Sequence, residues 1–349
     1  MNKNKRYRGF SLVELMVALV IGSFLIIGAV TVYVQSRNTY SVNEAVARLQ
    51  ENARYALSTL EPDVRLANFW GLMNDPQIVV GAAGNVPLAT GTQNNCGPQF
   101  DIDLRVSIEG RNNTYGLTCT AGSSGTGTPD PNFSRTPDTI IVRHASEQTV
   151  PATPNTLQIY STRQGGGSRI VDDGTFPGAA SALVDTLPFG PQAEIRDLDV
   201  RAYYVFAASS LNGVPSLRRK RLQAGGAAPA FNDEEIMPGV EDLQIQFGID
   251  LGADRNSDGV IDDADNNGIP DHYDGIATRY VDPDDPALAT AQVVAVRLWL
   301  LVRADTPEVG FVHTRPFIYA DVNYLPNDSF RRLLVSRTIQ IRNTVNLQT

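Results

Sequence analysis

The 349-residue chain has two cysteines, three histidines, four methionines and two tryptophans. So small a supply of thiolate and imidazole argues against a zinc site, and neither cysteine has the further cysteine or nearby histidine that such a site needs. Also missing are the phosphate-cradling GxxxxGK[ST] run, the GxSxG nucleophile turn and the HExxH zinc helix. The remaining Ser, His and Asp residues have no informative spacing, and the glycines at 165–167 read as a turn rather than a nucleotide loop. Enzymatic function is therefore not expected. Positive charge is short as well: 29 Lys plus Arg stand against 38 Asp plus Glu, a net −9 that repels polyanions and excludes a general nucleic-acid binder.

What the chain does have is an apolar run, LMVALVIGSFLIIGAVTVYV, which fills Leu15 to Val34 without a formal charge. As a helix these twenty residues reach roughly 30 Å, the thickness of a bilayer hydrocarbon core. Gly22, Ser23 and Gly28 are tolerated there, because helical bonding costs less than baring backbone to lipid. Ahead of it stand Lys3, Lys5, Arg6 and Arg8 with no acid, which holds the N-terminus in the cytoplasm and sends the body outward. A secretory signal peptide shares the basic start. This run is longer than a usual signal core, lacks a small-x-small cleavage site, and continues into more helical sequence, so it is expected to be retained. Glu14 sits at the membrane edge of the run, where an unpaired carboxylate is expensive and calls for a cation or a protein neighbour.

The segment RGFSLVELMVALVIG, with Gly9 followed by Phe10 and then Glu14, resembles the class III prepilin leader. The resemblance implies that a prepilin peptidase/N-methyltransferase cuts between Gly9 and Phe10 on the cytoplasmic side and methylates Phe10. Glu14 would become the fifth mature residue, and its carboxylate would neutralise the N-terminal amine of a neighbouring subunit or assist its docking. Opposite charges brought together in a weakly screened setting offset each other's desolvation. Losing the four basic leader residues leaves 25 positives against 38 acids, a mature charge of −13.

Past the membrane run, Val42, Ala45, Leu49, Ala53, Ala56, Leu60 and Val64 recur every three or four residues, a helical stripe. Between them Asn43, Glu44, Arg48, Gln50, Glu51, Asn52 and Arg54 make a polar face, and Pro62 is expected to kink or end the helix. This long helix resembles the N-terminal spine of a type IV pilin.

Beyond about residue 70 the pattern changes to short apolar runs between Gly, Asn, Pro and Thr. Strands are expected at 100–108, 138–144, 155–161, 195–207, 216–222, 240–248, 291–303 and 329–343. VVAVRLWLLVRA is the best central strand, with Val294, Val296, Leu298, Leu300 and Val302 facing a core, Arg297 and Arg303 pointing elsewhere, and Trp299 packing rather than binding. Segments 81–97, 121–137, 162–190 and 223–235 read as excursions from the sheet. The expected fold class is α+β and type IV pilin-like: a long N-terminal membrane-spanning helix packed on a predominantly antiparallel sheet with large loop insertions. Its parts are a leader (1–9), a transmembrane half-helix (10–34), an amphipathic half-helix (35–65) and an exported β-rich domain (66–349) with an insertion at 250–286. The first 60 or so residues and the terminal FRRLLVSRTIQIRN resemble the larger minor pilins of the PilW-like type IV pilus assembly family.

In an exported body Cys96 and Cys119 are expected to form a disulfide, two buried free thiols being the alternative. In DRNSDGVIDDADNNGIPDHYD, the residues Asp254, Asn256, Asp258, Gly259, Asp262 and Asp265 fall at positions 1, 3, 5, 6, 9 and 12 of an EF-hand-like loop. Nine residues on, Asp263, Asp265, Asn267, Gly268, Asp271 and Asp274 repeat the spacing, with Val260 and Ile269 offering backbone carbonyls in the two registers. Asp rather than Glu at the last position shortens the reach, and the segment looks more like the calcium loops of dockerin and thrombospondin type 3 repeats. So many adjacent carboxylates repel one another unless solvated or neutralised, so one or two Ca²⁺ ions are expected; the competing reading is a solvated acidic turn.

The family resemblance implies a non-enzymatic minor pilin that helps initiate or cap a type IV pilus. Its partners would be other minor pilins, the major pilin and the inner-membrane pilus assembly machinery. It would be single-pass in the inner membrane with its C-terminal domain in the periplasm, and at the tip or in the filament after assembly. A minor pseudopilin of a type II secretion system and a membrane-tethered, calcium-dependent adhesin are the alternatives.

Overall fold

The computed structural model describes residues 11–73, 75–82, 96–97, 99–122, 136–163, 168–174, 193–211, 213–223, 230–252, 261, 273–289 and 291–343. One helix, α1 (Leu12–Leu66), is followed by strands. In chain order these are β1 (Ile108–Arg111), β2 (Thr139–Ala145), β3 (Pro154–Thr162), β4 (Arg169–Asp173), β5 (Ala193–Phe206), β6 (Ser216–Gln223) and β7 (Ala230–Pro238). Then come β8 (Val240–Asp250), β9 (Arg279–Val281), β10 (Gln292–Arg303), β11 (Phe317–Tyr319), β12 (Val322–Tyr324) and β13 (Arg332–Gln340). The chain divides into two compact units, Met1–Arg48 and Leu49–Thr349.

From Leu12 on, the first unit is helix, long and apolar enough to cross a membrane, with Leu12, Phe24, Leu25, Ile26 and Ile27 all exposed. Past its first turn, the backbone groups of such a segment are satisfied within the helix, which a bilayer requires.

In the second unit the ladders are antiparallel. Strand β5 is the hub of a seven-stranded sheet: β2, then β1, lie along one edge, while β6 with β7 and β3 with β4 share the other. A second sheet runs β13-β10-β8-β9, and β11–β12 form a hairpin. Gly239, at φ 91°, makes the one-residue turn by which β7 leaves the first sheet and β8 enters the second. Gly110 on β1 lies where the two sheets touch, since a Cβ there would meet Ile245, Phe247 and Pro283 within 3 Å.

The expected helical stripe is the core face: Leu49, Ala53, Ala56, Leu60 and Val64 are buried with Leu243, Ile245, Phe247, Val296, Leu298, Leu300 and Val302. A fully buried Leu or Val contributes roughly 1.5–3 kcal/mol, so this seam is a main source of stability. Strand β10 is central, as its sequence indicates, and Trp299 packs beside Leu301, Tyr319 and Val322 under the hairpin.

Two expectations need correction. Residues 100–107 are not a strand, and only Ile108 of the expected span belongs to one, as the start of β1; Phe100, Ile102 and Leu104 are buried in turns that cover the second face of the seven-stranded sheet beside Ile141, Ile159 and Val200. That cover is why β2 is buried along its whole length. Pro62 does not end α1, which runs four residues further; in the last turn the missing N–H removes a single helical bond, and burial of Val64 outweighs it.

Strands β4 and β7 fall within segments that read as excursions. On β7, Asp233, Glu234 and Glu235 stand in register opposite Lys220, Arg219 and Arg218 of β6, and ion pairs join Arg219 to Glu234 at 2.6 Å and Arg218 to Asp233 at 3.0 Å. Each side chain of the RRKR run thus faces an acid on β7 except Arg221, which faces Asn232 there and lies 3.9 Å from Asp199 of β5.

Candidate processing and assembly site

The helix start is built by two side chains of the apolar N-terminal segment. Ser11 is the cap: the backbone N–H of Glu14 donates to Ser11 Oγ at 3.2 Å, and the N–H of Ser11 donates to Glu14 Oε2 at 3.1 Å. This reciprocal capping box satisfies two donors that the helix cannot bond itself. The positive end of the helix dipole also favours the carboxylate there. Ser11 was not among the candidate residues, although its signal is plain: Ser, two residues, then Glu at the head of an apolar run. Gly9 and Phe10, the expected processing pair, lie outside the described residues.

The C-terminal part of α1 carries a buried carboxylate, Asp63, 3% exposed. Arg201 of β5 donates to its Oδ1 and the Tyr203 hydroxyl to its Oδ2. Arg201 also pairs with Asp199 at 3.1 Å, and His144 Nε2 lies 3.9 Å from Asp63 Oδ1. Burial raises the Tyr203 hydroxyl, with the Asp63 charge adding to it, so the hydroxyl stays a donor.

The expected disulfide is present, joining Cys96 to Cys119 across a separation of 23 residues with Cα atoms 4.3 Å apart. It closes the turn segment that covers the first sheet. On the chain-entropy model a loop of this size is worth about 3 kcal/mol, so a Cys96→Ser, Cys119→Ser chain is expected to unfold at correspondingly lower denaturant, and reductant is expected to shift the wild type alone. Matching denaturation curves for the two proteins would refute that.

A carboxylate hub anchors the β11–β12 hairpin. Asp138 accepts N–H bonds from Asn113 at 2.7 Å and Ile245 at 2.9 Å. The Asn113 side chain donates to Asp321 at 2.7 Å, and the Tyr319 hydroxyl donates to Asp242 at 2.5 Å. Burial pushes the Asp138 carboxyl up to about 7, the two N–H bonds pull it down, and Asp242 and Asp321 raise it further. With its folded value above the unfolded 3.8, Asp138 binds its proton more tightly in the folded state. Its contribution is full below about pH 4 and is lost as pH rises to about 7, an effect of roughly 2–4 kcal/mol. Asp138→Asn is expected to flatten that part of the stability profile; melting curves for both proteins from pH 4 to 8 check this, and parallel profiles would contradict it.

Of the calcium candidates only Asp274 is described; Asp254, Asn256, Asp258, Val260, Asp262, Asp263, Asp265, Asn267, Ile269 and Asp271 lie outside the described residues. Asp274 Oδ1 accepts the Ile276 N–H at 2.7 Å, turning the chain into β9. Asp250, 1% exposed at the end of β8, accepts from Gly252 at 2.8 Å through one oxygen and from Gly275 at 2.7 Å through the other. One buried carboxylate thus ties both ends of the acidic segment. No group of three or more His, Cys, Asp or Glu among the described residues is placed to hold a metal.

Residues 202–343 match the type IV pilus-assembly protein W (PilW) family model, and residues 4–30 match the prokaryotic N-terminal methylation motif. No curated protein sequence matches the chain. Among solved structures a type IV-like pilin from Thermus thermophilus is similar at 14% identity and TM-score 0.27, over 59% of this chain and 78% of that one.

Proposed function

We propose that this chain, which carries a PilW domain behind an N-terminal methylation motif, is a minor pilin that helps initiate or cap a type IV pilus together with other minor pilins and the major pilin. The observation that carries the reading is that both matches occur in one chain, joined by a single helix whose first part is apolar and exposed and whose last part is core. Before assembly the helix spans the inner membrane with the basic leader in the cytoplasm and the β-rich body in the periplasm. Prepilin peptidase cuts after Gly9 and methylates Phe10. Glu14 then meets the amine of a neighbouring subunit, and the inner-membrane assembly machinery supplies the work. The role is structural and not enzymatic. Crosslinking from the helix in membranes, followed by identification of attached proteins, tests it; recovery only of unrelated envelope proteins would reject it.

One or two Ca²⁺ ions in the 254–274 segment would order the insertion that Asp250 ties at its base. Ligands would be Asp254, Asn256, Asp258, Asp262 and Asp265 in one register and Asp263, Asp265, Asn267, Asp271 and Asp274 in the other, with the carbonyls of Val260 and Ile269. Millimolar calcium is expected to raise the melting temperature and to release heat in calorimetric titration. A chain showing neither response would reject the ion.

A further inference from the structure

We propose that the open end of the second sheet's outer face is a binding site for a carboxylate-bearing saccharide, read by Arg297 and Trp299 of β10. The site goes beyond the assembly role and uses neither the leader nor α1, so cleavage after Gly9 and saccharide binding are tested separately.

The two faces of this sheet differ in chemistry. Leu243, Ile245 and Phe247 of β8 and Val296, Leu298 and Leu300 of β10 join α1 in the core. On the other face the register sets Gln246, Arg297 and Thr338 in one row and Gln244, Trp299 and Ser336 in the next. The β11–β12 hairpin covers one end of that face, where the Tyr319 hydroxyl donates to Asp242 and Trp299, Leu301 and Leu334 pack with Tyr319 and Val322. At the other end Ser336 and Thr338 are exposed.

There Gly248 leaves room for the Tyr280 ring, since a Cβ would meet its Cε1 at 3.0 Å, and the Arg297 guanidinium stacks on that ring with Cζ 3.7 Å from the centroid. Arg297 Nε donates to Thr338 Oγ1 at 3.4 Å. Stacking and this bond restrain the planar fork, so little freedom is lost when its other N–H groups are bonded. On the neighbouring strand Arg332 holds Glu241 and Arg337 holds Glu61. Arg297 has no ion-pair partner among the described residues, in a chain of net charge −9. The acid beside it, Asp282, is taken up by Gln246 Nε2 at 2.9 Å.

The groups around Arg297 are unspent as well. Among the described residues the Trp299 indole N–H, the Tyr280 and Ser336 hydroxyls and Gln246 Oε1 have no protein partner, and none of these atoms is buried. They comprise a donor, an acceptor and two groups that do either. A sugar hydroxyl both donates and accepts, so it satisfies each kind, while a ring carboxylate takes the guanidinium fork. Strands about 4.8 Å apart set these groups at roughly the width of one sugar ring. An extended peptide would seek the edge of a sheet rather than its face.

Of the two tryptophans Trp70 is 1% exposed, so ligand-dependent emission reports Trp299. Trigalacturonate titrated into the detergent-solubilised full-length chain is expected to give a saturable change. Maltotriose, which lacks the carboxylates, is expected to need about tenfold more, the least that a hydrogen bond to a charged group contributes. Arg297→Gln is expected to raise the half-saturating trigalacturonate concentration by about the same factor. Thr338→Glu, at an exposed position directly across from Arg297, gives the guanidinium a carboxylate of its own and is expected to abolish the response with the melting temperature unchanged. No saturable change in the wild type, an equal response to maltotriose, or a wild-type response in both variants would overturn the proposal. So would a triglutamate peptide that binds more tightly than trigalacturonate, which would assign the face to a polypeptide.

Discussion

Alanine at position 63 is expected to lower the stability of the folded body by about 3–5 kcal/mol, the range for breaking a buried ion pair by removing one partner. The Asp63 carboxylate holds the Arg201 guanidinium on one oxygen and the Tyr203 hydroxyl on the other, and the buried His144 imidazole stands 3.9 Å away. Removing it leaves the partly buried Arg201 guanidinium with Asp199 as its remaining carboxylate and deprives the buried Tyr203 hydroxyl of its carboxylate acceptor. For a domain of this size each kcal/mol corresponds to about 2–4 °C, so a drop on the order of 10 °C is expected in thermal unfolding of the detergent-solubilised chain. Asp63→Asn keeps an acceptor but not the charge and is expected to fall between. Equal melting temperatures for the wild type and Asp63→Ala would show that the carboxylate does not fasten the helix to the sheet.

Glu14→Ala is expected to leave cleavage after Gly9 intact and to reduce incorporation into the subunit complex roughly tenfold or more, since hydrogen bonds to charged groups are worth about 1.5–3 kcal/mol. Two losses combine. The Ser11 N–H loses its acceptor at Oε2, and the incoming amine loses its counter-charge. Glu14→Gln separates them, because its amide oxygen still caps Ser11 while its charge is gone. A defect in Gln as deep as in Ala assigns the effect to charge. Membrane insertion becomes easier without the carboxylate, so a fall in incorporation cannot come from failed insertion. Wild-type incorporation by Glu14→Ala would contradict the charge role.

Local signals in the sequence carried far. The apolar run, the stripe from Leu49 to Val64 and the period-two pattern of β10 depend on neighbours a few residues apart, and the structure places all three as their spacing indicates. What escaped depends on distant partners. Asp63 carries no local signal of its role, because its partner Arg201 lies 138 residues away. The DEE of β7 reads as a polar excursion until the register sets it against the basic run of β6. Residues 100–104 have strand-like composition, yet serve as turns because the first sheet needs cover on its second face. Ser11 is a different case, since its cap signature is local and stands in the same residues that suggest the leader.

The central claim is that residues 1–9 are a prepilin leader and that the chain then enters a subunit complex by its exposed helix. Mass analysis of the N-terminal peptide of the protein isolated from membranes tests this most directly. The account predicts a chain that begins at Phe10 with a methylated amine. An N-terminus at Met1, or one downstream of Val34 where a signal peptidase would have removed the apolar run, would contradict it.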